Sequence, residues 1–177
     1  MLALAAFNEG RHAQAFPSFG SERMGAPVVS FCRIDDHEIR VREPVMEPDV
    51  LIIQDPTLLH QVDVFGGLRA DGFILINTAK TFDALGLGEF VKAFRHDRLL
   101  TVPASDLARA HTGRAVANAA LLGGFAALSG LISLEAVAAA IRERFSGPVG
   151  EGNVAAAQAA YTWVSDERLE LSGASAG

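Results

Sequence analysis

A three-layer α/β/α domain built on a mostly parallel sheet is the fold this sequence predicts. Three observations predict it. Continuous apolar runs of strand length recur at VLIIQD, FILINTAK and LLTVPA. Such runs suit parallel strands that are covered on both faces. Helical patterns fall between and after these runs, as an α/β architecture requires. The chain has 177 residues and a mass of 18.7 kDa, a natural size for one domain around one core. Residues 1–170 read as that single domain and 171–177 as a flexible tail.

Taken in order, residues 1–9 are rich in Ala and Leu and read as a helix. Asn8-Glu9-Gly10 stops it, with Gly10 in the left-handed cap position. HAQAF reads as a short extended segment, and PSFGSERMGAP as a rigid, charged turn. Pro27–Ile34 then reads as a buried strand. Asp35-Asp36-His37 is a turn, and EIRVREPVM is an edge strand or a loop. VLIIQD closes at Asp55-Pro56, and Pro56 suits the first turn of a helix through PTLLHQV. GGLRADG bridges to FILINTAK. TFDALGLGEFVKAF is expected to be a helix with internal glycines, followed by the third strand, LLTVPA.

Ser105-Asp106 reads as the cap of a helix reaching about His111. Ala115 to Leu134 carries no charge over nearly the length that spans a bilayer. Its Ala/Gly content, three polar residues and flanking Arg114 and Glu135 favour a buried helix ending at Ser129-Gly130. Ser133 caps SLEAVAAAIRERF, whose Arg142 and Arg144 suit a helix C-terminus. Gly147-Pro148-Val149-Gly150 reads as a loop before a last helix from Asn153. Together these elements give a Rossmann-like order of strands and helices with no internal repeat.

Composition narrows the function. Half of the residues are hydrophobic and 20% are charged, which speaks against disorder. The net charge of −6, with no Lys/Arg cluster, makes a poor nucleic-acid binder. The single Cys32 cannot form an internal disulfide, and an iron–sulfur cluster needs about four cysteine ligands. Cys32 is expected to be a buried structural thiol. The start, MLALAAFNEGR, lacks a basic segment and a cleavage site, so a cytoplasmic location without a membrane span is expected.

Catalytic provision is thin. The five histidines are scattered and form no two-His helical metal motif. Neither a nucleophile elbow nor a phosphate-binding P-loop is present. The charged candidates are Glu22 and Arg23: the guanidinium could clamp a phosphate or carboxylate and the carboxylate could orient it. In open parallel sheets ligands sit beyond the C-terminal strand ends. That singles out Asp55, Asn77 and Thr78, with Lys80 nearby. An interface salt bridge and strand-end capping are the structural alternatives for these groups.

Several blocks carry a family resemblance. PSFGSERMGAPVVSFCRI, EPDVLIIQDPTLL, GLRADGFILINTAK, TVPASDLA, NAALLGGFAALSGLISLEAVAAAIRERF and NVAAAQAAY follow one another. They resemble the gamma subunit of the 2-oxoacid:ferredoxin oxidoreductases, most closely the pyruvate synthase type, from about Ala5 to Tyr161. The resemblance implies a non-catalytic subunit of a complex with alpha, beta and delta-type partners. That complex would hold thiamine diphosphate, Mg2+ and [4Fe-4S] clusters, with none of them bound by this chain alone. It would convert a 2-oxoacid, most readily pyruvate, to an acyl-CoA and pass electrons to ferredoxin.

The resemblance also implies that this chain packs on the catalytic subunits and helps form the coenzyme A site. Ser18, Gly20, Glu22, Arg23, Asn77 and Thr78 are the expected coenzyme A or subunit contacts. Two departures stand out. The family opens with a strand and a G-x-G-G-Q-G loop, whereas this sequence begins at the helix MLALAAFNEG, so the expected fold lacks that first strand and Gly-rich loop. The family's E-R-R-G is Glu22-Arg23-Met24-Gly25 here, with a thioether in place of one guanidinium. A stand-alone nucleotide- or CoA-binding module is the competing reading.

Overall fold

The three apolar runs form the central sheet. In the computed structural model, which describes residues 1–18 and 27–174, β3 (Val50–Ile53), β4 (Phe73–Asn77) and β5 (Leu99–Val102) are parallel, in that order. Val50 pairs with Phe73 and Ile74 with Leu99. Alternation along β4 sends neighbouring side chains to opposite faces. Leu75 joins the core of the helical side, whereas Ile74 and Ile76 join a second core. All three are fully buried, which is why the central strand reads as one unbroken apolar run.

One face is covered by the helices α3 (Ala104–Thr112), α4 (Asn118–Ser129), α5 (Leu134–Arg144) and α6 (Gly147–Ala174). Their contact is set by small residues. A Cβ added at Gly123 in α4 would lie 1.9 Å from the Ala157 carbonyl oxygen in α6. The missing side chain is therefore what lets the two backbones approach this closely. Arg168 of α6 donates to the Ala127 carbonyl at 2.7 Å, satisfying an acceptor in the last turn of α4. Among the described residues the other face carries no long helix. It is covered by the 3-10 turn Pro56–His60, the short α2 (Gly88–Val91) and the connecting loops. Phe65, Phe90 and Phe94 stack there, with ring centroids 4.3 and 5.0 Å apart.

Before the central sheet, α1 (Leu2–Asn8) leads into a separate antiparallel pair, β1 (His12–Ser18) and β2 (Val29–Asp35). Gly10 follows α1 at φ 80°, as the stop signal requires. Glu9 reaches Ser133, accepting from its N–H at 2.9 Å and its hydroxyl at 2.5 Å. Ser133 in turn accepts from Ala136 N–H at 3.1 Å, so the expected cap of α5 is also a tie to the N-terminal helix.

Several expectations change. Pro27–Ile34 is not a core strand: β2 pairs only with β1, its first residues are exposed and Phe31–Ile34 are half-buried. Cys32 is accordingly half-buried. Burial still pushes its thiol pKa up, partly opposed by the N-terminal ammonium. Of the two readings of EIRVREPVM the loop is the one found, and the helix expected in TFDALGLGEFVKAF shrinks to four residues. Gly147-Pro148-Val149-Gly150 is not a loop but the first turn of α6, with Pro148 where a missing N–H costs nothing. That helix runs on to Ala174, into the segment read as a tail. Ser105 does not cap α3. No helix among the described residues is long and apolar enough to cross a membrane.

Candidate functional site

A cleft of about 420 Å³ opens at the C-terminal ends of β3, β4 and β5. Its position follows from the topology, because parallel strands deliver their ends and the loops beyond them to one edge. Gln54 and Asp55 follow β3, Asn77 ends β4 and Thr78 follows it, and Ser105 and Asp106 lie at the start of α3 after β5.

Asn77 ties the three strand ends together. Its Nδ2 donates to the Gln54 carbonyl and to Ser105 Oγ, each at 2.8 Å. Its Oδ1 accepts from Ser105 N–H at 3.0 Å. The two backbone partners fix the amide's orientation, since a carbonyl can only accept and an N–H can only donate. Asn77 thus satisfies an N–H in the first turn of α3 that a local cap would otherwise take. Pro103 precedes that helix and offers no side-chain cap. Beside Asn77, the Thr78 N–H donates to the Val102 carbonyl at 3.0 Å, joining the ends of β4 and β5.

Asp55 accepts from the N–H and the hydroxyl of Thr57 at 2.9 and 2.7 Å. The hydroxyl bond, then the backbone bond, hold its carboxyl below the usual range, so it is ionised at neutral pH. Asp106 accepts from Arg109 at 2.7 Å. Thr78 Oγ1 accepts from Lys80 N–H at 3.2 Å. The cleft therefore offers acceptors on two aspartates and hydroxyls on Thr78 and Ser105, within a frame set by Asn77.

The structure brings Asn77 and Thr78 together, with Asp55 alongside. Ser18 lies elsewhere, at the end of β1 opposite Val29, and does not line the cleft. Gly20, Glu22 and Arg23 lie outside the described residues. Ser105 was read as a helix cap rather than as a site residue, although it follows LLTVPA as directly as Asn77 and Thr78 follow FILI. The strand-end rule that selected those two applies equally to Ser105. A smaller cleft, of about 300 Å³, lies at the opposite edge of the sheet. Its charges are paired: Arg11 with Asp36 at 2.9 Å, Asp49 with Arg69 at 3.4 Å and Arg98 with Asp71 at 4.0 Å.

The sequence profile of the pyruvate ferredoxin/flavodoxin oxidoreductase family matches residues 1–163. The chain belongs to that family. It is 45% identical over 161 residues to the pyruvate/ketoisovalerate oxidoreductases common subunit gamma of Thermococcus kodakarensis, covering 91% of this chain and 85% of that one. It is 40% identical over 173 residues to the pyruvate synthase subunit PorC of Methanothermobacter marburgensis, covering 98% and 89%. The crystal structure of the pyruvate oxidoreductase subunit PORC from Thermotoga maritima superposes with a TM-score of 0.74. That structure shares 33% identity, over 91% of this chain and 84% of the other. These matches agree with the family reached from the sequence blocks, and they extend over the central sheet, the cleft and the helical layer of this oxidoreductase-family chain.

Proposed function

We propose that this chain is the gamma subunit of a 2-oxoacid:ferredoxin oxidoreductase, with pyruvate as the favoured substrate. The single observation that carries the reading is the near full-length similarity to gamma and PorC subunits. In this reading the complex oxidatively decarboxylates the 2-oxoacid, joins the acyl group to coenzyme A and passes the electrons to ferredoxin. The present chain packs on the catalytic subunits and contributes one wall of the coenzyme A site, at the strand-end cleft. Val28 and Val29 are 65% and 46% exposed at the start of β2. Apolar side chains exposed there support a partner contact at that end of the β1–β2 pair.

The donor set of the described residues does not fit a metal ion or an iron–sulfur cluster. Among the described residues no group of three or more His, Cys, Asp or Glu could hold a metal ion. One cysteine does not supply a cluster. The proposal therefore assigns thiamine diphosphate, Mg2+ and the [4Fe-4S] clusters to the alpha, beta and delta-type partners. This chain's part is positional: Thr78 and Ser105 offer hydroxyls to carbonyl or phosphoryl oxygens, and Asp55 accepts from amide or hydroxyl donors of the ligand. The test is to assemble the complex with and without this chain. A rise in the KM for coenzyme A on omission supports the reading. An unchanged KM in a fully active complex lacking the chain rejects it.

A further inference from the structure

We infer that Asn77 is a positioning residue, which sets the Ser105 hydroxyl as a fixed donor at the rim of the strand-end cleft. The inference rests on the reading of that cleft as part of a coenzyme A site. It starts from a count of hydrogen-bonding capacity. Asn77 has two N–H donors and one carbonyl oxygen. Gln54 O and Ser105 Oγ take the donors, and Ser105 N–H takes one lone pair of the oxygen. The side chain spends both donors on the protein, so as a donor it reaches a ligand only through Ser105.

Ser105 gains directionality from this. Its oxygen receives the Asn77 N–H, and its own backbone N–H is held by the same amide. A hydroxyl has one hydrogen to give. With the amide nitrogen acting as donor, the Ser105 hydrogen must turn away from Asn77. No described group accepts it, and Ser105 lines the cleft. The hydroxyl is thereby presented as a donor toward whatever fills the space, suited to an amide carbonyl or a phosphoryl oxygen. Thr78, on the same rim, repeats the pattern, since its oxygen receives the Lys80 N–H. Two hydroxyls with a lone pair engaged internally face one cavity from adjacent strand ends.

Asn77→Asp keeps the shape and reverses the contact with Ser105, while the Gln54 carbonyl loses its donor and faces a carboxylate oxygen. The carboxylate still accepts from Ser105 N–H, so the start of α3 stays capped, but it now also accepts from the Ser105 hydroxyl and turns that hydrogen inward. The experiment uses the assembled complex and its best 2-oxoacid, and measures KM for coenzyme A and kcat for each variant. Ser105→Ala and Asn77→Asp are each expected to raise KM for coenzyme A about three- to tenfold, the loss of one neutral hydrogen bond, with kcat within about twofold. The double variant is expected to match Asn77→Asp, because a hydroxyl already turned inward has no donor left for the ligand to lose.

A rise in the double variant over Asn77→Asp would show that the Ser105 hydroxyl still reaches the ligand in that variant, and would overturn the inference. Ser105→Ala leaves the cap in place, so the question stays answerable if Asn77→Asp fails to assemble. Thr78→Val separates the levels. If it raises KM while Ser105→Ala does not, the positioning role fails and the coenzyme A reading stands. If none of the three changes KM, both fail.

Discussion

Replacing Gly123 with Ala is predicted to be among the more damaging single-methyl additions in this domain. The new Cβ would lie 1.9, 2.6 and 2.8 Å from the O, C and Cα of Ala157. Real Cβ contacts essentially never fall below 3.0 Å, so α4 and α6 must part by about 1.1 Å. The obstacle is backbone, which cannot rotate aside as a side chain can. Overpacking of a filled core costs about 1–3 kcal/mol or more, and a rigid neighbour places this site at the upper end. Helix propensity returns about 1 kcal/mol on Gly→Ala. The net loss is about 2 kcal/mol, which lowers Tm by roughly 4–8 °C for a chain of this size.

Gly124 is the control. Its added Cβ would meet side-chain methyls, of Leu75 and Val164 at 3.2 and 3.3 Å and of Val102 at 3.7 Å. Those can yield by a few tenths of an ångström, so the propensity gain and the packing cost nearly cancel. Calorimetry or near-UV circular dichroism of the two variants reads the difference directly. Equal melting temperatures for Gly123→Ala and Gly124→Ala would refute the claim that backbone contact between α4 and α6 organises the helical layer.

Two further outcomes follow from the titrating groups. Thr57→Val removes the first cause of the depressed Asp55 pKa. The carboxyl resonance should then titrate at higher pH, and an unchanged midpoint would show that Thr57 does not hold the carboxylate. Because the folded pKa is depressed, this interaction stabilises the fold above the ordinary carboxylate pKa and is lost as pH falls through the folded value. Glu167 is the opposite case. Burial raises its pKa, with the Trp163 hydrogen bond opposing and Glu170 adding to the rise. Its protonated form favours folding at low pH, and that advantage is lost as pH rises through the folded pKa. Glu167→Gln should therefore raise Tm at neutral pH and lose its benefit in acid; an equal gain at both pH values would contradict the assignment.

The parallel sheet was legible because burial on both faces leaves a continuous apolar imprint. Phe73 to Ile76 show it most clearly. The same imprint misled at VVSFCRI, where apolar and β-branched residues mark a strand but not which sheet it joins. Its partner, HAQAF, was seen only as extended chain. Gly147-Pro148-Val149-Gly150 reads as a loop although Pro148 suits a helix start, and the register of the following Ala-rich pattern does not distinguish the two. The frame of the cleft was least legible. The group that caps α3 is Asn77, 28 residues before Ser105, and no local pattern reports a cap supplied by a neighbouring strand. The sequence located the cleft's edge through Asn77 and Thr78, while the division of labour between Asn77 and Ser105 required the hydrogen-bond geometry.

The central claim is that this chain works as one subunit of a 2-oxoacid oxidoreductase. The measurement that tests it most directly is recovery of the tagged chain from its native host, followed by intact-mass and cofactor analysis of what comes with it. Co-purification with subunits carrying thiamine diphosphate and iron–sulfur clusters, in a complex that oxidises a 2-oxoacid with coenzyme A, is the predicted result. Recovery of the chain alone, at 18.7 kDa and with no such activity, would contradict the claim and favour an independent binding module.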